Sequence, residues 1–521
     1  MNSKIFKTTF MIAALVAYNF LFWQEKFGIN LMLFTILLCI YIVSQNKESV
    51  RSPKVILLLI AVILTGFMVS INNSGISKFT HIFSFLVLSG FVHEQKMRSL
   101  YFAFANVFVN FFLAPVTLTN NIKSASAKIK GVQIFFFYLK LFFIPLLIIS
   151  VFYLLYANAN SYFSEFFSGF WNFVNDLLKR FFENVSILKI LFLLTGVMII
   201  TGTTAKKYFS YFLSNDLSYS DFLKREKMSR SLQTKQTQKT FFSFNGLTKE
   251  LKAGIVLIAA LNLLILVLNF IDIKLLWFGF YAPNQFSMKN FVHEGTYFLI
   301  ISILISMIIV LYFFRKNLNF YSKNKLLKYL SYFWIFQNII LCISVCIRNQ
   351  YYIFYDGLAY RRIGLFAFLI VTIFGLLTLV FKIKKLKSFY YLLRINTWSV
   401  YIIMIFLCFF NWDMIIAKTN INHWNGSGID MDFYLRLSPE TYPLIYANLD
   451  KIEKQMRQHK MTGVIWVKNL DINKFKNALD HKRDAFLSDY RDYSWVSWNH
   501  SDQAAYHSLT QPEFKKLSFK K

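Results

Sequence analysis

Acid is scarce in this chain. Of its 521 residues, 26 are Asp or Glu against 57 Lys or Arg, and charged residues of both signs make up only 16%. Soluble domains carry about 25% charged residues, so a wholly water-soluble protein is excluded. Cysteine is scarcer still. Cys39, Cys342, Cys346 and Cys408 all lie inside apolar runs, which rules out a disulfide framework and zinc-type spacing. No catalytic, nucleotide-binding or metal-binding signature is present, and no catalytic, cofactor or metal residue is assigned. Few ionisable residues sit in the middle of the apolar runs, which weakens the case for an ion-coupled carrier.

What is present is apolar. Hydrophobic residues make up 56% of the chain and aromatics 19%, including 61 Phe, and the mean hydropathy is +0.45. Lipid must act as solvent for much of this surface. Apolar runs cover about 6–23, 27–43, 55–71, 132–156, 187–204, 253–271, 295–314, 330–347, 363–381 and 396–412. Between them, 79–92 is too short for a comfortable crossing of roughly 17–25 residues, and 99–118 carries Asn106, Asn110 and Pro115. One of these two is expected to be re-entrant or interfacial. Asn106, Asn110, Asn262 and Asn269 suit hydrogen bonding between helices.

The net charge of +31 is not that of a nucleic-acid binder, because the basic residues lie in short loops with no recognition module. Loops 44–54, 119–131, 315–328 and 382–394 are basic, and the alternate loops are nearly balanced. The basic set is expected in the cytoplasm, where it also meets anionic lipid. Four crossings then precede 119–131 and seven follow. The fold class is an all-α polytopic membrane protein with about 11 transmembrane helices (range 10–13) and a small, mainly helical C-terminal extracytoplasmic domain. The N-terminus is expected inside, uncleaved. The expected parts are an N-terminal membrane half (1–204), a basic flexible cytoplasmic loop (205–252), a C-terminal membrane half (253–412) and the outer tail (413–521).

In the tail, Ser438-Pro439-Glu440 predicts a helix start running to about His459. A short strand is expected at 461–468, a helix over 473–490, and another after Asn499 or Ser501. His423, His459, His481, His500 and His507 are too irregularly spaced for metal. His93-Glu94 and His293-Glu294 lack further ligands and read as helix-end polar residues. Trp424, Trp495 and Trp498 are the tail's largest apolar groups; they could stack sugars or anchor the tail on the membrane surface, and core packing is expected for at least one. The candidate site is a cationic, aromatic cup at the outer ends of two spans: Arg348, Tyr352, Tyr355, Arg361 and Arg362. It could hold an anionic lipid headgroup or phosphate; the plainer reading is an aromatic belt with snorkelling arginines.

Several stretches carry a family resemblance. They are Lys130-Gly131 through Pro145 to Ala157-Asn158-Ala159-Asn160; Phe291 to Tyr297 with Gly295; and Ser344 to Arg348 followed by Tyr355-Asp356-Gly357-Leu358-Ala359 and Arg361 or Arg362. Further on come Ile416-Ala417, Asn420-Ile421, Asp430, Tyr434-Leu435, Leu437-Ser438 and Pro443, then Trp495, Trp498-Asn499 and Ser501. In this order the chain resembles a family of bacterial polytopic membrane proteins known only as a domain of unknown function (number four-one-seven-three, with the related four-one-five-three). His293 stands where that family has Arg, and an Asp is inserted after Tyr355. The resemblance implies many spans with a tail beyond the last one, and no activity. Asn420, Trp495, Trp498 and Asn499 become candidate interaction residues of the tail.

The functional expectation is a multi-pass protein of the bacterial cytoplasmic membrane. It is a non-enzymatic scaffold or sensor in contact with membrane lipids, with an envelope protein as partner through the tail. The alternatives are a transporter or flippase of a lipid-linked or anionic substrate, and a membrane transferase with a lipid-carried donor.

Overall fold

The computed structural model describes residues 3–125, 186–204, 210–225, 247–278, 288–422, 431–454 and 472–511, with single positions between 145 and 172. Among these the chain is helical, without strands. The long helices are α1 (Ser3–Phe22), α2 (Ile29–Gln45), α3 (Pro53–Asn72), α4 (Gly75–His93), α5 (Leu100–Ala125) and α6 (Ile187–Thr204), followed by the short α7 (Ser210–Ser218). Next come α8 (Leu247–Asp272), α9 (Met288–Phe313), α10 (Lys325–Asp356), α11 (Tyr360–Lys384) and α12 (Phe389–Cys408). Eight described helices are long and apolar enough to cross a membrane, and Thr9–Phe22, Ile29–Gln45 and Leu100–Ala114 are shorter apolar helices. In lipid every backbone polar group must be satisfied within its own segment, and the helix does this. The architecture is that of a polytopic membrane protein. The expected span at 132–156, the polar stretch Ser229–Thr240 and the strand at 461–468 lie outside the described residues.

The chain forms two compact units. The first holds Met1–Ile63, Ile82–Lys96 and Phe102–Leu213. In it Tyr18 stacks on Phe192 at 4.5 Å and meets Thr195 Oγ1 at 3.3 Å. Ser89 Oγ and His93 Nε2 both donate to the Thr203 carbonyl at 2.7 Å, so α4 is fixed to the end of α6 by capping its free carbonyl. Gly90 is required at a close approach: a Cβ there would lie 2.5 Å from the Ala103 carbonyl oxygen. Gly90→Ala is expected to cost about 1–3 kcal/mol through overpacking, read as a lower midpoint of thermal unfolding.

The 79–92 stretch needs correction, because α4 starts earlier, at Gly75. Its first turns are polar in sequence but buried, and they have partners. His81 Nδ1 pairs with Thr65 Oγ1 at 3.1 Å, and Ser77 Oγ donates to the Ser74 carbonyl at 2.8 Å. Hydropathy alone truncates a helix whose polar residues are satisfied by neighbours.

The second unit holds Leu64–His81, Met97–Tyr101 and Ser214–Lys521. Its membrane core is built from α8 to α11 around Ile258, Ile265, Ile303, Trp334, Leu341, Val345, Leu369 and Leu376. The buried stripe of α8 runs Leu251, Gly254, Ile258, Asn262, Ile265, Asn269, Asp272. That is a heptad pattern with polar residues in seam positions. The facing residues of α10 follow the same period. Asn262 Nδ2 donates to the Leu330 carbonyl at 3.1 Å and Asn269 Nδ2 to the Gln337 carbonyl at 3.1 Å. The partner number rises with the residue number, so α8 and α10 run parallel.

The described C-terminal residues are helical: α13 (Trp412–Asn422), α14 (Met431–Tyr434), α15 (Tyr442–Ala447), α16 (Ile472–Asp492) and α17 (His500–Thr510). Their core gathers Ile416, Tyr434, Ile445, Phe475, Leu479, Phe486 and Leu509. The helices expected at 473–490 and after Asn499 are α16 and α17. The helix expected from Pro439 to His459 is instead interrupted. A 3-10 turn at Pro439–Thr441 leads into α15, and Asn448 ends α15 by donating its side chain to the Leu444 carbonyl at 2.8 Å. Asn competes locally for backbone groups and favours such a stop.

Candidate functional site

The α8–α10 seam leads to a buried ion pair inside the apolar helices. Past Asp272, α8 continues as a π-helical turn, Ile273–Trp277, a form frequent at functional sites. The widened turn lets Trp277 Nε1 donate to Ser344 Oγ at 3.1 Å, and Tyr351 donates its hydroxyl to the Leu276 carbonyl at 3.0 Å. Between these contacts Arg348 Nη2 lies 2.5 Å from Asp272 Oδ1, with side-chain exposures of 9% and 3%. Two charges in an apolar surround hold only as a pair. Gly295 of α9 lies beside the pair, where a Cβ would meet Arg348 Nη1 at 3.4 Å, an ordinary contact.

The five residues of the expected cup therefore divide. Arg348 is buried against Asp272. Arg362 stacks its guanidinium 3.8 Å over the Tyr352 ring and donates to the Gly357 carbonyl. Tyr355 packs its ring against the neighbouring Phe354, and Arg361 is exposed. Tyr352 and Arg362 are thus brought together, while Arg348 is committed inside. Sequence reading missed the partner Asp272. Its signal was the heptad register with Asn262 and Asn269, matched on α10 by Gln337 and Ser344.

Gly357 ends α10 with φ 83°, a left-handed conformation that favours glycine. It presents Leu358 to the C-terminal helices. Leu358 N donates to Asn420 Oδ1 at 2.6 Å, and Asn420 Nδ2 donates back to the Leu358 carbonyl at 2.9 Å. Leu358 and Ile363 also pack on the core of the C-terminal helices. Asn420 is thus a two-pronged clamp on backbone. Asn420→Ala is expected to cost about 1–3 kcal/mol by leaving a buried N–H and C=O unpaired, visible as faster hydrogen exchange at Leu358.

The other tail candidates have distinct places. Asn499 caps α17, its Oδ1 accepting from Asp502 N at 2.8 Å. Trp498 donates to Gln503 Oε1 at 2.8 Å, and Trp495 is 63% exposed. Asp413 Oδ2 accepts from Ser438 N at 2.9 Å, and its Oδ1 accepts the Tyr360 hydroxyl. Glu440 accepts the Ser501 hydroxyl.

Burial pushes the Glu440 carboxyl above the usual carboxylate range; Asp413 adds to this, against hydrogen bonds from Ser501, Asn411 and Ser438. A raised folded-state value means the ionised form is penalised on folding. The penalty is full above the folded value and fades as pH falls through it towards the unfolded value. The C-terminal helices are therefore expected to melt higher at about pH 5 than at about pH 7.5 through this group. Glu440→Gln should flatten that dependence in thermal unfolding.

A second polar cluster was not legible in the sequence. Asp216 is fully buried. It accepts from Arg98 N at 2.5 Å, Ser99 Oγ at 2.9 Å and the Tyr390 hydroxyl at 2.6 Å. Beside it Arg394 meets Asp221 at 2.7 Å. A lone Asp in a basic loop carries no pattern that predicts these partners.

The motif residues land on structural junctions: Gly295 and Arg348 at the buried pair, Ser344 on Trp277, Asn420 at the clamp, Asn499 at the α17 cap and Ser501 on Glu440. No curated protein and no solved structure matches the chain. A family-level match runs over residues 10–448, to the family described as Domain of unknown function (DUF4153), the second of the two related families that the motifs suggested. That match takes in most of the sequence, and the protein belongs to this family.

Proposed function

We propose that this is a non-enzymatic scaffold or sensor of the bacterial cytoplasmic membrane, in which the outer domain and the outer ends of α10 and α11 act as one body. The carrying observation is the Asn420 clamp on Leu358, backed by the packing of Leu358 and Ile363 in the outer domain's core. A partner bound outside would then load the α8–α10 seam directly. Trp495 offers a rigid, exposed aromatic for such a partner. A photo-crosslinking residue in place of Trp495 is expected to yield one discrete protein adduct in cells. Lipid adducts alone would overturn the reading.

The basic loops assign the sides. Residues 98–99, Asp216, Asp221 and the start of α12 meet in one cluster, so they share a membrane face, and the neighbouring basic loop 382–394 makes that face cytoplasmic. The N-terminus lies inside and the tail outside. The interfacial helix of the pair is α5. Phe111, well along α5, packs against Gly202, near the end of α6. The count is then about eleven crossings, with 119–131 inside.

Transport of a lipid-linked or anionic substrate is the second reading, favoured by the exposed Arg361 beside Arg362 on Tyr352. Arg361→Ala should then abolish uptake or flipping at unchanged levels of folded protein; unchanged transport removes it.

A further inference from the structure

Buried polar atoms line the α8–α10 seam, and three acceptors among them receive no hydrogen bond. Asn262 gives its Nδ2 to the carbonyls of Ile258 (2.8 Å) and Leu330 (3.1 Å). Gln337 gives its Nε2 to Asn262 Oδ1 (2.6 Å) and to the Asn262 carbonyl (3.3 Å). Asn269 gives its Nδ2 to the Gln337 carbonyl. Each amide nitrogen faces a backbone carbonyl, so the amide orientations are forced and an amide flip would only set oxygen against oxygen. What remains without a donor is Asn269 Oδ1, Gln337 Oε1 and Asp272 Oδ2. All three residues are at most 3% exposed.

An acceptor buried without a donor costs about 1–3 kcal/mol, and more is expected where lipid surrounds the helices. Three on one seam call for an occupant that donates. The charge balance selects it. Asp272 and Arg348 already neutralise each other at 2.5 Å. A metal ion or ammonium group would leave a net positive charge in low dielectric, which is costly. Water donates two protons at no net charge and is the common partner of such groups.

We propose that the α8–α10 seam is a hydrated cleft that binds a file of water molecules from Gln337 and Asn269 out to the Asp272–Arg348 pair. Trp277, 36% exposed, stands where the file meets the outside. From Tyr351 to Gln337 the helix rise gives a depth of about 20 Å, close to the middle of the membrane. Inward, Leu251, Ile258 and Leu327 are fully apolar and buried, so the cleft ends there and does not cross.

The first test uses protein in which Cys39, Cys342, Cys346 and Cys408 are replaced by alanine. Asn269→Cys is added in one sample and Leu263→Cys, whose native side chain is 66% exposed on the outside of the helix, in another. Both are reconstituted in lipid vesicles and treated with a small aqueous methanethiosulfonate. Water beside residue 269 keeps its thiol reactive, so labelling at least about tenfold faster than at residue 263 is expected, one pKa unit of difference in the thiol. Equal, slow labelling overturns the proposal. Since Asn269→Cys alters the seam, the unaltered protein supplies a second readout. Hydroxyl radicals made from water by X-ray radiolysis should oxidise Ile265, which is buried between Asn262 and Asn269. They should spare Leu379, buried in the same core away from the seam. Oxidation of Ile265 no faster than Leu379 also overturns it.

Discussion

Arg348→Ala is expected to lower stability by about 3–5 kcal/mol, because it leaves the Asp272 carboxylate buried and uncompensated. The pair sits at 2.5 Å with both side chains nearly out of solvent, so screening offers little relief. Asp272→Leu alone should cost a similar amount, by stranding the guanidinium. The double variant Asp272→Leu with Arg348→Met should recover most of the loss, since an apolar pair of similar volume is often neutral or stabilising. Thermal unfolding in lipid particles of wild type, both single variants and the double variant gives the coupling directly. Additive losses would show that the two side chains do not act as a pair. Recovery of stability with loss of partner binding would show that the pair is kept for function.

The same pair shows what the sequence could and could not disclose. Long apolar runs predict helices because lipid leaves few other solutions, and the described helices follow them. The parallel α8–α10 seam was half visible. Asn262, Asn269 and Asp272 lie on one heptad face, but an isolated helix does not say which neighbour completes it. Gln337 and Arg348 follow some seventy residues later, and only the fold sets them in register. Arg348 was noticed for its charge and placed with Arg361 and Arg362, its neighbours in sequence. In space its partner is Asp272, because a buried guanidinium requires a carboxylate and Asp272 lies within 2.5 Å of it. Asn420 illustrates the other limit. Its type and position suggested interaction with a partner, and the structure places its amide on the backbone of Leu358. Local sequence reveals a polar residue's chemistry, while long-range packing decides whom it serves.

Asp216 gives the second large effect. Three donors from two parts of the chain, Arg98 N and Ser99 Oγ on one side and the Tyr390 hydroxyl on the other, converge on one fully buried carboxylate. A hydrogen bond to a charged group contributes about 1.5–3 kcal/mol, and removing the shared acceptor strands all three donors. Asp216→Ala is therefore expected to cost at least about 3 kcal/mol, whereas Tyr390→Phe should cost about 1.5–3 kcal/mol. Asp221→Ala makes the contrast. Its carboxylate is 24% exposed, and its partner Arg394 is 19% exposed, so at most about 1 kcal/mol is expected. The segment after Asp216 is stitched to the start of α12 by Leu223 N on the Leu386 carbonyl at 2.8 Å and Ser388 N on the Asp221 carbonyl at 2.9 Å. Hydrogen exchange at these two amides reads the knot locally, apart from global unfolding. Both should exchange much faster in Asp216→Ala and nearly as wild type in Asp221→Ala. Equal effects of the two substitutions would place the strength of the knot in the exposed ion pair. A large effect of Asp216→Ala alone places it in the buried carboxylate, and makes this residue the point where the segment after α7 is held to the start of α12.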